Sequence, residues 1–319
     1  MYRLVSITFG LVLLLTEANT SNAATLTVTN CANQTDLQNK IDASSPGDTV
    51  TFACGTPSSP VTIPITTSVL GNGHTFTLDG NGSVILSGVG TPGTLFELAG
   101  STVTIRDITL TGGSGSCTGG AMKVQNTPVT VINATIYNNA ATGVCGRGGG
   151  IYVLSTTLTV INSTFSGDSA TQYGNDIAVD LGTAIVENSI FLDGCFSNVI
   201  TDGSGNIDTG NTCIPDNSNG SLTNVGSTIL GALVNNLFFP LPNGSAALSL
   251  DTANCPARDE LGSSRGATCN AGAIQVNTPP APPPATPIPS SLLLALAGLL
   301  TYSLIYSIWP SRMRTMRCP

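Results

Sequence analysis

The chain has 319 residues, of which only 9% are charged, with 36 glycines and a formal net charge of -8. Between Thr25 and Asn277 there are 17 acids and 6 bases, a net 17 − 6 = 11 negative charges, so this part is repelled by nucleic acid and anionic membranes. Glycine, threonine, serine and asparagine fill the places charges usually take, as turn-rich β-structure demands, and the stretch is long enough for one large domain.

Residues 1–23 combine Arg3 and an apolar run from Leu4 to Leu15, with small residues Ser21, Ala23 and Ala24 around their end. The run is too short to span a bilayer, so it reads as a secretory signal peptide rather than an anchor. Residues 24–277 then form the exported domain. Its first part, about 24–53, reads as a strand from Thr25, an amphipathic stretch carrying Leu37 and Ile41, a Pro46-Gly47-Asp48 turn and a strand from Thr49 to Ala53. A helix over the open end of a stacked sheet would cap strand edges that are otherwise unpaired. Phe76 and Leu78 fit a looser first rung, with Gly80 at its corner.

From Phe96 to Phe191 six positions recur four times. The first reads Phe96, Met122, Ile151, Ile177; the second Leu98, Val124, Val153, Val179; the third Val103, Val129, Leu158, Ala184. The fourth reads Ile105, Val131, Val160, Val186; the fifth Asp107, Asn133, Asn162, Asn188; the sixth Leu110, Ile136, Phe165, Phe191. Offsets of 26, 29 and 26 hold for all six, which places three extra residues between Ile136 and Ile151. A period of this size signals a solenoid, and the two-residue alternation signals strands. The chain therefore reads as all-β, a parallel β-helix with a corner at the Asp/Asn position. Stacked side chains of Asp107, Asn133, Asn162 and Asn188 are expected to bond from rung to rung as a structural ladder.

The same register gives the outward positions. Between the first two columns stand Glu97, Lys123, Tyr152 and Ala178, and farther on Thr104, Thr130, Thr159 and Ile185. No paired carboxylates fall there, so the strand faces carry no hydrolase or lyase constellation. Loop acids such as Asp168, Asp176, Asp180 and Asp193 leave catalysis open.

Eight of nine cysteines lie in the exported part, which implies an oxidising compartment. Sequential pairing, Cys31 with Cys54, Cys117 with Cys145, Cys195 with Cys213 and Cys255 with Cys269, is the simplest connectivity. Cys117 and Cys145 also fall in the same loop of consecutive rungs, within bonding reach. Asp202, Ser204, Asn206 and Asp208 space oxygen donors two apart as calcium loops do; Cys213 stands where such a loop closes with Glu, and a Gly-rich turn explains the stretch equally well. Otherwise no cofactor is expected.

At Thr278 the composition changes. Residues 278–290 form a Pro-rich linker, 291–309 an apolar run of membrane-spanning length, and 310–319 a tail with Arg312, Arg314 and Arg317. This ending resembles the sorting signals read by exosortase-type systems of Gram-negative bacteria, with Thr286-Pro287-Ile288-Pro289-Ser290-Ser291 at the motif position and no Glu in it. The opening (Cys31, Leu37, Ile41, then Pro46 to Phe52) resembles that of secreted bacterial right-handed β-helix proteins, which implies a right-handed, single-stranded coil. Residues 230–275, with Gly244-Ser245-Ala246-Ala247, Asp251, Cys255, Asp259, Arg265-Gly266 and Cys269-Asn270-Ala271-Gly272-Ala273, resemble the carboxyl end of choice-of-anchor Q proteins. Leu261, Asn270 and Gln275 stand where that group usually has Arg, Asp and Glu.

The expected protein is a surface-displayed or secreted, non-enzymatic, adhesin-like β-helix at the cell envelope, bound to the membrane by its C-terminal helix or released after C-terminal processing, and recognising a polysaccharide or cell-surface partner. The alternatives are a polysaccharide-active enzyme built on loop carboxylates and a ligand-free envelope scaffold.

Overall fold

The computed structural model describes residues 23–275 except 91–92, 101, 197–198, 216 and 251–253. The expected signal peptide but for Ala23, the Pro-rich linker 278–290, the apolar run 291–309 and the basic tail 310–319 lie outside the described residues. Within them the chain is a parallel β-solenoid of about 6 turns.

Alternation decides which side chains enter the coil. Phe96–Ala99, Met122–Gln125, Ile151–Leu154 and Ile177–Asp180 pair in parallel, and Val69–Leu70 extends the sheet to five strands. Phe96, Met122, Ile151 and Ile177 share one row, as do Leu98, Val124, Val153 and Val179. The third, fourth and sixth apolar columns are register partners in the same way. All twenty apolar column residues are at most 6% exposed. Phe165 and Phe191 stack with ring centroids 5.1 Å apart. The three extra residues fall between Ala141 and Arg147, because Ala140 pairs with Ser114 at an offset of 26 and Arg147 bridges Thr118 at 29.

The corner residues Asp107, Asn133, Asn162 and Asn188 have φ of 53°, 49°, 46° and 49°, the left-handed region that Asn and Asp tolerate better than most residues. Their bonding differs from the expected ladder. Asn133 Nδ2 does donate to Asp107 Oδ1 one rung below (3.0 Å), but Asn162 Nδ2 donates to the carbonyl of Asn270 (2.9 Å), in the carboxy-terminal segment. A continuous ladder runs one position later. The backbone N–H groups of Ala134, Ser163, Ser189 and Asn206 donate in turn to Ser163 Oγ, Ser189 Oγ, Asn206 Oδ1 and Ser221 Oγ.

A second corner is built from acids. Asn139 N donates to Asp168 Oδ1 (2.7 Å) and Asp168 N to Asp193 Oδ2 (3.2 Å), while Asp176 Oδ2 accepts from the N–H of Asp193 and of Gly194 (both 3.0 Å). Asp168 Oδ2 and Asp176 Oδ1 are buried without a hydrogen-bond partner. Burial first, then mutual repulsion, raises the pKa of Asp176 well above the carboxylate range; burial likewise dominates at Asp168 and Asp193. A raised folded-state pKa stabilises the fold below the unfolded value, and that contribution is lost as pH rises through the folded value. Thermal unfolding from pH 4 to pH 9 should show stability declining with pH. Asp176→Asn keeps a side-chain carbonyl for both N–H donors and should flatten the decline and raise the melting temperature at pH 8.

The third corner is glycine. Gly119, Gly148 and Gly174 sit at φ of 63°, 64° and 69°, each three residues before the first apolar column. At the amino end, helix Thr35–Asp42 buries Leu37 and Ile41 in the main core beside strands Thr25–Val28 and Thr49–Phe52. Two strands that the columns do not reveal, Val61–Ile65 and Val84–Gly88, pair with each other, and the second pairs with Val103–Thr111.

The four sequential cysteine pairs form, with Cα separations of 6.4, 4.8, 4.7 and 5.7 Å in chain order. The 4.8 Å between Cys117 and Cys145 is one strand spacing, as expected for one loop stacked on the next. Four disulfides fit an oxidising environment.

Candidate functional site

The donor-rich run 202–208 is one more rung. Ile200–Ser204 pairs with Thr183–Glu187, and Ile207–Asp208 with Ile190–Phe191. Asp202 Oδ1 accepts from Asn206 Nδ2 (2.6 Å) and Ser221 Oγ (2.8 Å), whereas Asp208 Oδ2 accepts the N–H of Thr212 (2.8 Å) and Cys213 (2.7 Å). Asp202 and Asn206 thus come together, Ser204 ends its strand, and Asp208 organises the following turn. Among the described residues, no group of three or more His, Cys, Asp or Glu is placed to hold a metal ion. No helix of the described residues is long and apolar enough to cross a membrane.

A cleft of about 490 Å³ opens at the Asp107 corner, between Asp79, Arg106 and Asp107 on one side and residues 256–262 on the other. Its groups are mostly engaged. Arg106 bridges Asp79 (2.5 Å) and Asp107 (3.6 Å), Asp259 accepts the N–H of Leu261, Ser263 and Gln275, and Arg258 donates to the Gly262 carbonyl (2.7 Å). Burial lifts Asp107 to about 6 against the opposing bond from Asn133.

The cleft marks the seam along which residues 256–275 lie over the solenoid as a strap. Glu260, fully buried, accepts from Thr109 Oγ1 (2.9 Å) and Thr135 Oγ1 (2.6 Å), and burial holds its carboxyl well above the usual range. Arg265, also buried, donates to Asn133 Oδ1 (3.1 Å) and to the carbonyls of Gly272 (3.0 Å) and Ala273 (2.9 Å). Its pKa is pushed down to about 10, chiefly by burial.

On the outer face of the five-stranded sheet lies a cluster of aromatic and charged side chains. Each corner glycine is preceded by a residue that bridges to the next rung, giving the row Thr118, Arg147, Tyr173. The Arg147 guanidinium lies 4.9 Å from the Tyr173 ring centroid, and Tyr173 packs on Phe196 with centroids 3.9 Å apart. Arg147 also donates to Asp180 Oδ2 (2.7 Å) and Gln172 Oε1 (3.2 Å), while Tyr152 OH donates to the same Asp180 oxygen (3.0 Å). Burial, then the Asp180 carboxylate, holds the phenols of Tyr152 and Tyr173 above their ordinary pKa, so both stay neutral hydrogen-bonding groups. Phe196 is 47% exposed although its ring packs on Tyr173. The two rings, tilted 34° to each other, form an apolar pair with Arg, Asp and Gln groups at its edge.

Of these residues only Tyr152 and Asp180 stand out in the sequence. Arg147 and Tyr173 could be found by extending the repeat upstream of its first column, since 118, 147 and 173 keep its offsets of 29 and 26. Phe196 could not, because it bridges Ala178 only 18 residues away, where the period has collapsed. Comparisons with family models, curated proteins and solved structures find no match to the chain.

Proposed function

We propose that the protein is an exported, non-enzymatic β-solenoid of the choice-of-anchor Q type that is displayed at the cell envelope and binds polysaccharide. The Arg147–Tyr173–Phe196 stack is the observation that carries this reading. A sugar ring presents an apolar C–H face and a rim of hydroxyls. The stack matches the first, and Asp180, Gln172 and Tyr152 beside it match the second. These groups are held by one another and by the sheet, so little side-chain freedom is lost on binding. Display rests on the Pro-rich linker, the apolar run and the Arg-rich tail of the sequence.

Retention of the oxidised protein on a glycan array tests the reading. Tyr173→Ala or Phe196→Ala should weaken binding by roughly thirtyfold, the weight of a central aromatic anchor of about 2 kcal/mol. Retention of the same glycans by both variants would remove this face from the function.

A further inference from the structure

We propose that the corner formed by Asp168, Asp176 and Asp193 is a calcium site. Two independent observations point to a cation. The first is that the cluster has no counter-charge: among the described residues the ion pairs are made by Asp36, Asp79, Asp107 and Asp180, none of them in this corner. The second is that two carboxylate oxygens, Asp168 Oδ2 and Asp176 Oδ1, are buried with no hydrogen-bond partner, on residues 3% and 0% exposed. Buried charges are normally paired or bound to metal, and an orphaned buried oxygen has lone pairs left for a ligand.

The backbone gathers these groups. Asp168 N donates to Asp193 Oδ2, and the N–H groups of Asp193 and Gly194 donate to Asp176 Oδ2, so the three acids form one hydrogen-bonded knot. Asp168 Oδ2 and the Asp176 carbonyl oxygen also border the same space, since a Cβ on Gly150 would stand 3.0 Å from the one and 2.5 Å from the other. Asp193 is only partly buried and gives an ion its way in from solvent. Two buried carboxylates, the Asp176 carbonyl and water make an irregular all-oxygen shell. Calcium accepts such a shell with roughly six to eight ligands, whereas magnesium demands a near-ideal octahedron.

The placement gives the ion a task. Ser169–Ala170 ends the three-stranded sheet, and the next turn of the coil cuts across from Phe191 to Phe196 in far fewer residues than separate Phe165 from Ala178 beneath. Asp193 lies in that shortcut. A cation held between it and the acids below fastens the short rung to the full one, just before Phe196.

The test is thermal unfolding of the full oxidised protein at pH 7.5, stripped with a chelator and then titrated with calcium, magnesium or sodium chloride at constant ionic strength, with calorimetry to count the ions. One calcium per chain should bind with a Kd on the order of 10⁻⁴ M and raise the melting temperature by about 5–10 °C at a hundredfold excess over Kd. Magnesium and sodium should give roughly a third of that shift or less. Asp168→Asn and Asp176→Asn keep a side-chain acceptor for the backbone N–H groups, so both should fold, melt no lower than the stripped parent and lose the calcium shift. A parent that calcium does not stabilise would overturn the site, and so would a shift that both Asn variants retain. A shift removed by Asp202→Asn instead would place the ion in the run 202–208 and overturn this corner as its site.

Discussion

Arg265→Ala is expected to cost about 3–5 kcal/mol of folding stability, the range for removing one member of a buried, hydrogen-bonded charge network. The guanidinium donates to Asn133 Oδ1, and it also satisfies the carbonyls of Gly272 and Ala273. Each acceptor left buried without a donor costs roughly 1–3 kcal/mol, and partial rescue by water keeps the sum inside that range. Arg265→Lys should recover only part of the loss, because an ammonium cannot fork to acceptors on both the corner and the strap. Urea unfolding gives the magnitude. Hydrogen exchange locates it, with faster exchange expected at the amides of Ala271, Gly272 and Ala273. An alanine variant as stable as the parent would show that the strap is held by other contacts.

Gly148→Ala is expected to destabilise by about 3 kcal/mol or more, a large share of the ~5–15 kcal/mol that holds a typical domain. Gly148 sits at φ 64°, and a Cβ there would stand 2.3 Å from the carbonyl oxygen of Ile151. Gly119 and Gly174 meet the carbonyls of Met122 and Ile177 at 2.1 and 2.5 Å. The left-handed backbone alone accounts for roughly 1–2 kcal/mol. Gly244→Ala separates the two effects, since at φ 82° its Cβ would meet nothing within 4 Å. It should lose only that first part in the same unfolding measurement. Equal losses in both variants would mean that the close approach has no weight.

The core was legible because burial imposes a period of two on each strand and the stack repeats it at constant offsets, so columns such as Phe96, Met122, Ile151 and Ile177 could be read without any structure. The corner was legible as a position but not as a set of contacts. Asn133 and Asn162 bond to Arg258, Arg265 and Asn270, partners 108 to 132 residues away in a segment without periodicity. The strands Val61–Ile65 and Val84–Gly88 escaped because Pro64 and glycines interrupt their alternation, and those after Phe191 because the rung length shrinks. The candidate site was half legible: Arg147 and Tyr173 obey the period, Phe196 does not.

The strap touches four consecutive rungs, through Thr109 and Thr135 with Glu260, Thr164 with Ala273, and Asn188 with Gly272. In a bare stack each rung is coupled only to its neighbours, and unfolding can begin at an end and proceed one layer at a time. A segment bonded to four layers adds coupling beyond nearest neighbours, so loosening any one of them weakens its hold on the other three. The middle of this solenoid should therefore unfold in a single step, and the side chains on its five-stranded sheet keep a fixed spacing up to the temperature at which the whole body melts.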